Sequence, residues 1–228
     1  MPNSTNETLQ RRFSGYLFDL DGTLVDTAPD IDAALNVALA DAGLATVDES
    51  LTRHWVGHGS RVLVEQALTF HAVPELIQNA AAMDAMLATF IAYYSAHIAD
   101  HSQTYPGTVE TLEKLGERGA GLAVVTNKLE ALSRQVLDAL DLTQHFKAIV
   151  CGDTLPVSKP DPAPALHACQ VLGIEVADSL FVGDSNTDVE CARAAGCAIV
   201  CMRDGYNHGT PAEQLGADAV IDSLSELI

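Results

Sequence analysis

Tyr16-Leu17-Phe18-Asp19-Leu20-Asp21-Gly22-Thr23-Leu24-Val25-Asp26-Thr27 is the stretch on which the fold turns. Tyr16-Leu17-Phe18 is an apolar run and predicts a short buried strand. Asp19 and Asp21 follow with one residue between them. In extended chain alternate side chains share a face, so both carboxylates point one way while Leu20 points back to the core. Gly22-Thr23 ends the strand with turn chemistry. Two carboxylates on one face at a strand end repel each other and lose hydration, so they call for a cation or a shared proton. A solvated turn would also use Asp and Gly, but the apolar residues on both sides argue against it.

Further along, Leu122-Ala123-Val124-Val125 is a second apolar strand and ends in Thr126-Asn127-Lys128. Ala148-Ile149-Val150 is a third. Ser179-Leu180-Phe181-Val182 is a fourth and ends in Gly183-Asp184-Ser185-Asn186-Thr187-Asp188. Ala198-Ile199-Val200 and Ala219-Val220-Ile221 complete the set. Helical periodicity lies between them, as at Leu132, Val136, Leu137 and Leu140. Apolar strands alternating with helices predict an α/β fold, with a parallel sheet covered on both faces. Ligands of such sheets sit beyond the carboxyl ends of the strands. Asp19, Asp21, Thr126, Asn127, Asp184 and Asp188 all fall at those ends.

Between the first two strands the pattern is helical. Pro29 suits a first helical position, with Asp30 and Asp32 in the first turn. Ile31, Ala34, Leu35, Ala38, Leu39 and Ala42 form one face, and Gly43 is a stop. Gly57-His58-Gly59 breaks a second helical stretch. A third is expected from Ser60, as N-cap, to Phe70. A fourth runs from Pro74 through Met83, Met86, Phe90 and Tyr94. With little strand signal there, residues 28–104 read as a helical insert. Residues 1–27 and 105–228 then form the core. The Met and aromatic positions of the insert are expected to be its own packing.

Composition narrows the function classes. Of 228 residues, 48% are hydrophobic, enough for a sizeable core. Lys plus Arg number 12 against 31 Asp plus Glu, a formal net charge of −19. Such a field repels nucleic acid and anionic membranes, and any phosphate substrate would need a local positive site or a metal. No apolar run is long enough to span a bilayer, and Met1 to Asn6 lacks a signal-peptide core, so a cytoplasmic location is expected. Cys151, Cys169, Cys191, Cys197 and Cys201 are odd in number and without a C-x-x-C pair, which predicts buried free thiols. The state expected is a monomer or homodimer.

Asp19, Asp21 and Asp184 form a hard oxygen set that suits magnesium, which also binds substrate phosphate. Thr126 and Asn127 offer donors to phosphate oxygens, although a helix cap would use the same residues. Only four lysines are present. Lys159, in the proline-stiffened loop Ser158-Lys159-Pro160-Asp161-Pro162, is the best placed to supply positive charge. Lys128 has the weaker claim, because it can start the next helix.

The stretch from Phe18 to Thr27 resembles the first motif of the haloacid dehalogenase-like (HAD) superfamily. Val124-Val125-Thr126-Asn127 is similar to its second motif, Lys159-Pro160 to its third and Gly183 to Asp188 to its fourth, in the family's order. The resemblance implies a three-layer Rossmann-like parallel sheet core with a helical cap inserted after the first strand. It implies a magnesium-dependent phosphatase with Asp19 as nucleophile and Asp21 as general acid and base. Asp19, the main-chain carbonyl of Asp21, and Asp184 would hold the metal. Asp188 would support it, and Thr126 and Lys159 would bind the phosphoryl group. A dehalogenase would need neither Asp21 nor the metal.

Trp55-Val56-Gly57-His58-Gly59-Ser60 and Asp204-Gly205-Tyr206-Asn207-His208-Gly209 resemble the bacterial phosphoglycolate phosphatase branch. That makes 2-phosphoglycolate, a small phosphate ester, the expected substrate. Phosphatases for a sugar-acid phosphate of cell-wall recycling share much of the pattern and are the alternative. A binding module without turnover is the minor one. In the insert, His58 and Arg61 are the candidates for holding a second negative group of the substrate; the alternative is a mere turn between helices, with His58 solvated and Arg61 paired on the surface.

Overall fold

In the computed structural model, which describes residues 8–228, the core is a six-stranded sheet. The N-terminal stretch Met1 to Asn6 lies outside the described residues. The strands are β1 (Gly15–Phe18), β4 (Gly121–Val125), β5 (Ala148–Val150), β6 (Ser179–Gly183), β7 (Ala198–Met202) and β8 (Ala219–Ile221). Their order is β5-β4-β1-β6-β7-β8, and every pairing is parallel. β1 is therefore central, flanked by the strands that carry Thr126 and Asp184.

Period-two alternation gives the sheet two apolar faces. Tyr16, Phe18, Val124 and Val182 face one way, against α6 (Thr108–Glu117), α7 (Glu130–Ala139) and the C-terminal residues Leu224 and Leu227. Leu17, Ala123, Val125 and Phe181 face the other, against α8 (Ala163–Leu172) and α9 (Asn186–Ala195). This is the three-layer α/β arrangement that the apolar strands predict.

The segment between β1 and α6 holds α1 (Ala28–Asp41), α2 (Glu49–Trp55), α3 (Ser60–Phe70), α4 (Pro74–Gln78) and α5 (Ala80–Ala96). Their buried residues form one cluster, including Met83, Met86, Phe90 and Tyr94, which also takes in Leu132 of α7 and Tyr206. Those two side chains are where the helices seat on the sheet domain.

Three sequence expectations change here. Ser60 is the first helical residue and Gly59 the cap, at φ +87°. The single helix expected from Pro74 is two, because Asn79 adopts an extended conformation and accepts from Ala82 N to start α5 afresh. A two-stranded antiparallel ribbon, β2 (Val25–Asp26) with β3 (Gln103–Thr104), closes the neck of the helical segment; two-residue strands leave too little periodicity to read. Asp30 does more than sit in a first turn. It is buried and accepts from His101 N, Ser102 N and Ser102 Oγ, tying the start of α1 to the return strand.

Candidate active site

β1 ends at Phe18, and Asp19 follows with its N–H still donating to Val182 O of β6. The chain then folds back on itself. Gly22 N donates to Val25 O, and Leu24 N and Val25 N donate to Leu20 O. Gly22 makes this possible at φ +86°, and a Cβ there would lie 2.5 Å from Asp184 Oδ2. The fold-back holds Asp19 buried and Asp21 partly exposed above the sheet edge.

Lys159 joins two carboxylates. Its Nζ lies 2.9 Å from Asp19 Oδ1 and 2.6 Å from Asp188 Oδ1, with 2% of the side chain exposed. Asp188 sits at the third position of α9, where its Oδ2 accepts from Asp184 N, Ser185 N and Ser185 Oγ. Ser185 in turn caps that helix. Asp184 accepts from Thr23 Oγ1 at 2.7 Å and from Tyr206 N at 2.5 Å. Carboxylate oxygens of Asp19, Asp184 and Asp188 all lie within 4.8 Å of one another.

The electrostatics of this cluster are unbalanced. Three buried carboxylates face one ammonium, leaving a formal excess of two negative charges. Burial pushes the Asp19 carboxyl up to about 7, against the pull of Lys159. Burial, with Asp188 and Asp19 close by, also holds Asp184 well above the carboxylate range. Burial works against the charged Asp188 too, but Lys159 outweighs it and the net direction is down. An excess of two charges on an all-oxygen set is what one hard divalent cation would neutralise, so the residues fit magnesium. Asp188 accepts from Lys159 at one oxygen and from three donors at the other, and Asp184 accepts at both of its oxygens from Thr23 and Tyr206, so a cation would use the lone pairs those donors leave.

The second lysine stands differently from its sequence reading. Lys128 does not start a helix; α7 begins at Glu130. Its Nζ donates to Asp21 Oδ1 at 2.9 Å, Asp21 Oδ2 at 3.1 Å and Tyr94 Oη at 2.8 Å. Only 6% of its side chain is exposed. Burial disfavours the ammonium, yet Asp21 and Tyr94 hold its pKa above the ordinary lysine value. The sequence signal is present: Lys128 lies three residues past the end of a buried strand, in a lysine-poor chain. In the sequence Tyr94 reads as packing alone, because a hydroxyl reaching out of a helical core leaves no mark on the apolar period.

Thr126 lies buried at the end of β4 and accepts from Lys128 N. Asn127 is committed elsewhere than expected. Its Nδ2 donates to Gly57 O at 3.1 Å and Lys159 O at 3.0 Å, so both amide hydrogens link the Gly57 turn to the lysine loop and are not free for phosphate. Asp21 also accepts from Thr27 Oγ1 at 2.6 Å. Tyr206 Oη donates to Asp26, which also binds Arg53 of α2.

A cleft of about 500 Å³, counted with its open mouth, lies between the helices and the sheet. Asp19, Asp21, Thr126 and Lys128 form its floor; Gly57, Gly59, Ser60 and Tyr94 belong to the opposite wall. The two insert candidates are not in it. Arg61 is exposed and pairs with Asp84. His58 stacks on His208 with ring centroids 4.9 Å apart, and its Nδ1 is 3.5 Å from Thr187 Oγ1. Burial and the neighbouring His208 lower its pKa.

Comparison with known proteins gives a consistent result. A family model described as haloacid dehalogenase-like hydrolase matches residues 16–202. Phosphoglycolate phosphatase 1 of Pseudomonas aeruginosa is 42% identical over 213 residues, covering 93% of this chain and 77% of that one. Phosphoglycolate phosphatase of Thiobacillus denitrificans is 39% identical over 210 residues, covering 92% of each. Among solved structures, a predicted phosphoglycolate phosphatase from Haemophilus somnus matches with TM-score 0.89 and 34% identity, covering 96% of this chain and 97% of that one.

Proposed function

Since this chain belongs to the haloacid dehalogenase-like hydrolase family, we propose that it is a magnesium-dependent phosphatase that hydrolyses 2-phosphoglycolate to glycolate and phosphate. The observation that carries the reading is the doubly anionic excess around Asp19 at the floor of a cleft closed by helices. The relatives named phosphoglycolate phosphatase support the substrate.

In this reading Asp19 attacks phosphorus and forms an aspartyl-phosphate, which divides one hard displacement into two easier ones. Lys159, fixed by Asp188, sets the direction of Asp19 Oδ1 and brings positive charge to the oxygens of the transferring group. Magnesium, held by Asp19, Asp184 and the main-chain carbonyl of Asp21, would supply Lewis-acid neutralisation of phosphate charge. Asp188 supports that site by fixing the Asp184 backbone and Lys159. Thr126 donates its hydroxyl to a phosphate oxygen. Asp21 protonates the leaving alkoxide and then deprotonates the attacking water. Residues 28–104 act as a cap over the cleft, hinged at β2 and β3, and exclude water from the reaction. Among the described residues no helix is long and apolar enough to cross a membrane. The five buried free thiols suit a reducing compartment such as the cytoplasm.

The test is turnover of purified protein with magnesium on 2-phosphoglycolate, sugar phosphates, a sugar-acid phosphate and an aryl phosphate. The highest kcat/KM is expected for 2-phosphoglycolate, and Asp19→Asn should abolish activity on all of them while the protein stays folded. A preference for the sugar-acid phosphate would move the chain to the cell-wall recycling branch and keep the catalytic assignment. Substantial turnover by Asp19→Asn would refute it.

A further inference from the structure

Two buried lysines stand near the floor of the cleft, but only Lys128 lines it, and the two differ in their partners. Lys159 is enclosed by Asp19 and Asp188 and belongs to the phosphoryl end. Lys128 has one carboxylate partner, Asp21, and a neutral one, Tyr94. Tyr94 comes from α5, so this is a contact across the cleft from helical insert to sheet domain. Its hydroxyl oxygen accepts from Lys128, and its own proton has no acceptor among the described residues. Both side chains line the cleft. A buried hydroxyl with an unspent proton is a costly arrangement unless a ligand takes it.

Among the described residues, the rest of that wall carries no charged side chain. Ile31, Val56, Leu63, Phe90, Leu129 and Leu132 are apolar. Arg61 points to solvent and pairs with Asp84, and His58 is stacked against His208. Gly59 and Ser60 open the N-terminus of α3 onto the same cleft, adding positive potential rather than a competing site. A second anion on a small substrate therefore meets Lys128, the one side-chain cation of the cleft wall among the described residues, and Tyr94 beside it.

We propose that Lys128 and Tyr94 form a specificity pocket for the carboxylate of a small phosphate ester whose phosphoryl group lies over Asp19. Lys128 contributes charge and Tyr94 a directed O–H, a pairing of an ammonium and a hydroxyl donor that suits a planar carboxylate. The pocket spans both parts of the chain, so a substrate carboxylate adds a contact that holds the helices down on the sheet domain. The inference rests on the phosphatase reading and adds to it where substrate discrimination resides.

The experiment compares 2-phosphoglycolate with 2-hydroxyethyl phosphate, which carries a hydroxyl in place of the carboxylate. Wild type should favour the carboxylate ester in kcat/KM. Tyr94→Phe should cut that preference about tenfold, the worth of about 1.4 kcal/mol, with the loss concentrated in KM for 2-phosphoglycolate. Lys128→Met should cut it further while slowing both substrates, because Asp21 loses its partner; thermal unfolding checks that each variant is folded. If Lys128→Met does not fold, Tyr94→Phe decides, since it removes one oxygen and keeps the ion pair. Equal losses on both esters in Tyr94→Phe would overturn the pocket and leave the phosphatase intact. So would a wild type that hydrolyses both without preference. A wild type that hydrolyses neither would overturn the phosphatase reading, and the pocket with it.

Discussion

Replacing Lys159 by Met removes one charge and keeps most of the stem, and the structure sets the size of the effect. Among the described residues the ammonium is the sole cation bonded to Asp19 and Asp188, at 2.9 and 2.6 Å, and both pairs are almost fully buried. Without it, carboxylates of Asp19, Asp184 and Asp188 share a space less than 4.8 Å across with no counter-charge. Breaking a buried pair by removing one partner costs about 3–5 kcal/mol. For a chain of this size that is a fall in Tm of about 6–20 °C, at about 2–4 °C per kcal/mol. Magnesium should recover part of the loss, because it binds the folded site and not the unfolded chain. The rate has a separate penalty: losing one aligned positive group at the transferring phosphoryl costs on the order of a hundredfold or more in kcat. The assays are differential scanning calorimetry with and without magnesium, and steady-state hydrolysis of 2-phosphoglycolate. A Tm within about 2 °C of wild type in chelator, together with a kcat within about threefold, would refute the charge accounting.

In chelator, the Tm of wild type should fall as pH rises from 5 to 8, because Asp19 is raised to about 7 in the fold and the stability its protonated form contributes is lost through that value. Magnesium should flatten this dependence, and activity lost in chelator should return on adding the metal; a chelated Tm that climbs over that range would contradict the site. Gly205→Ala should cost about 1–3 kcal/mol by overpacking, since a Cβ there would stand 2.2 Å from Asp184 Cβ and 2.7 Å from Gly22 O. It should also raise the magnesium concentration needed for half-maximal activity, read by titration. Arg61→Ala should change neither Tm nor kcat/KM appreciably, because its pair with Asp84 is exposed and such pairs contribute at most about 1 kcal/mol; a large loss on 2-phosphoglycolate would bring Arg61 back into the cleft.

What could be read in the sequence was what depends on short-range order. Apolar runs at 16–18, 122–125, 148–150, 179–182, 198–200 and 219–221 are strands because a parallel sheet buried on both faces admits only apolar side chains. Acidic groups just past β1 and β6 mark the candidate functional edge, since a charge at the end of a buried strand needs a partner. Lys159 could be picked out because two prolines stiffen its loop and lysines are scarce in this chain.

Tertiary structure decided the partners, which are set by elements far apart in sequence. The sequence ranks Lys159 above Lys128 but names no partner for either, and packing assigns one to Asp21 and the other to Asp19 and Asp188. Asn127 looks like a phosphate donor until two carbonyls, from Gly57 and Lys159, are seen to take both amide hydrogens. Tyr94 sits on an apolar helical period, and only the packing of α5 near the loop after β4 brings its hydroxyl to Lys128. His58 and Arg61 lie on the glycine-flanked turn and the helix after it, but the rotation of α3 sends Arg61 to solvent and the core loop captures His58 through His208. A local pattern fixes which face a side chain occupies. Which group waits opposite that face depends on how distant elements pack, and no period in the sequence encodes that.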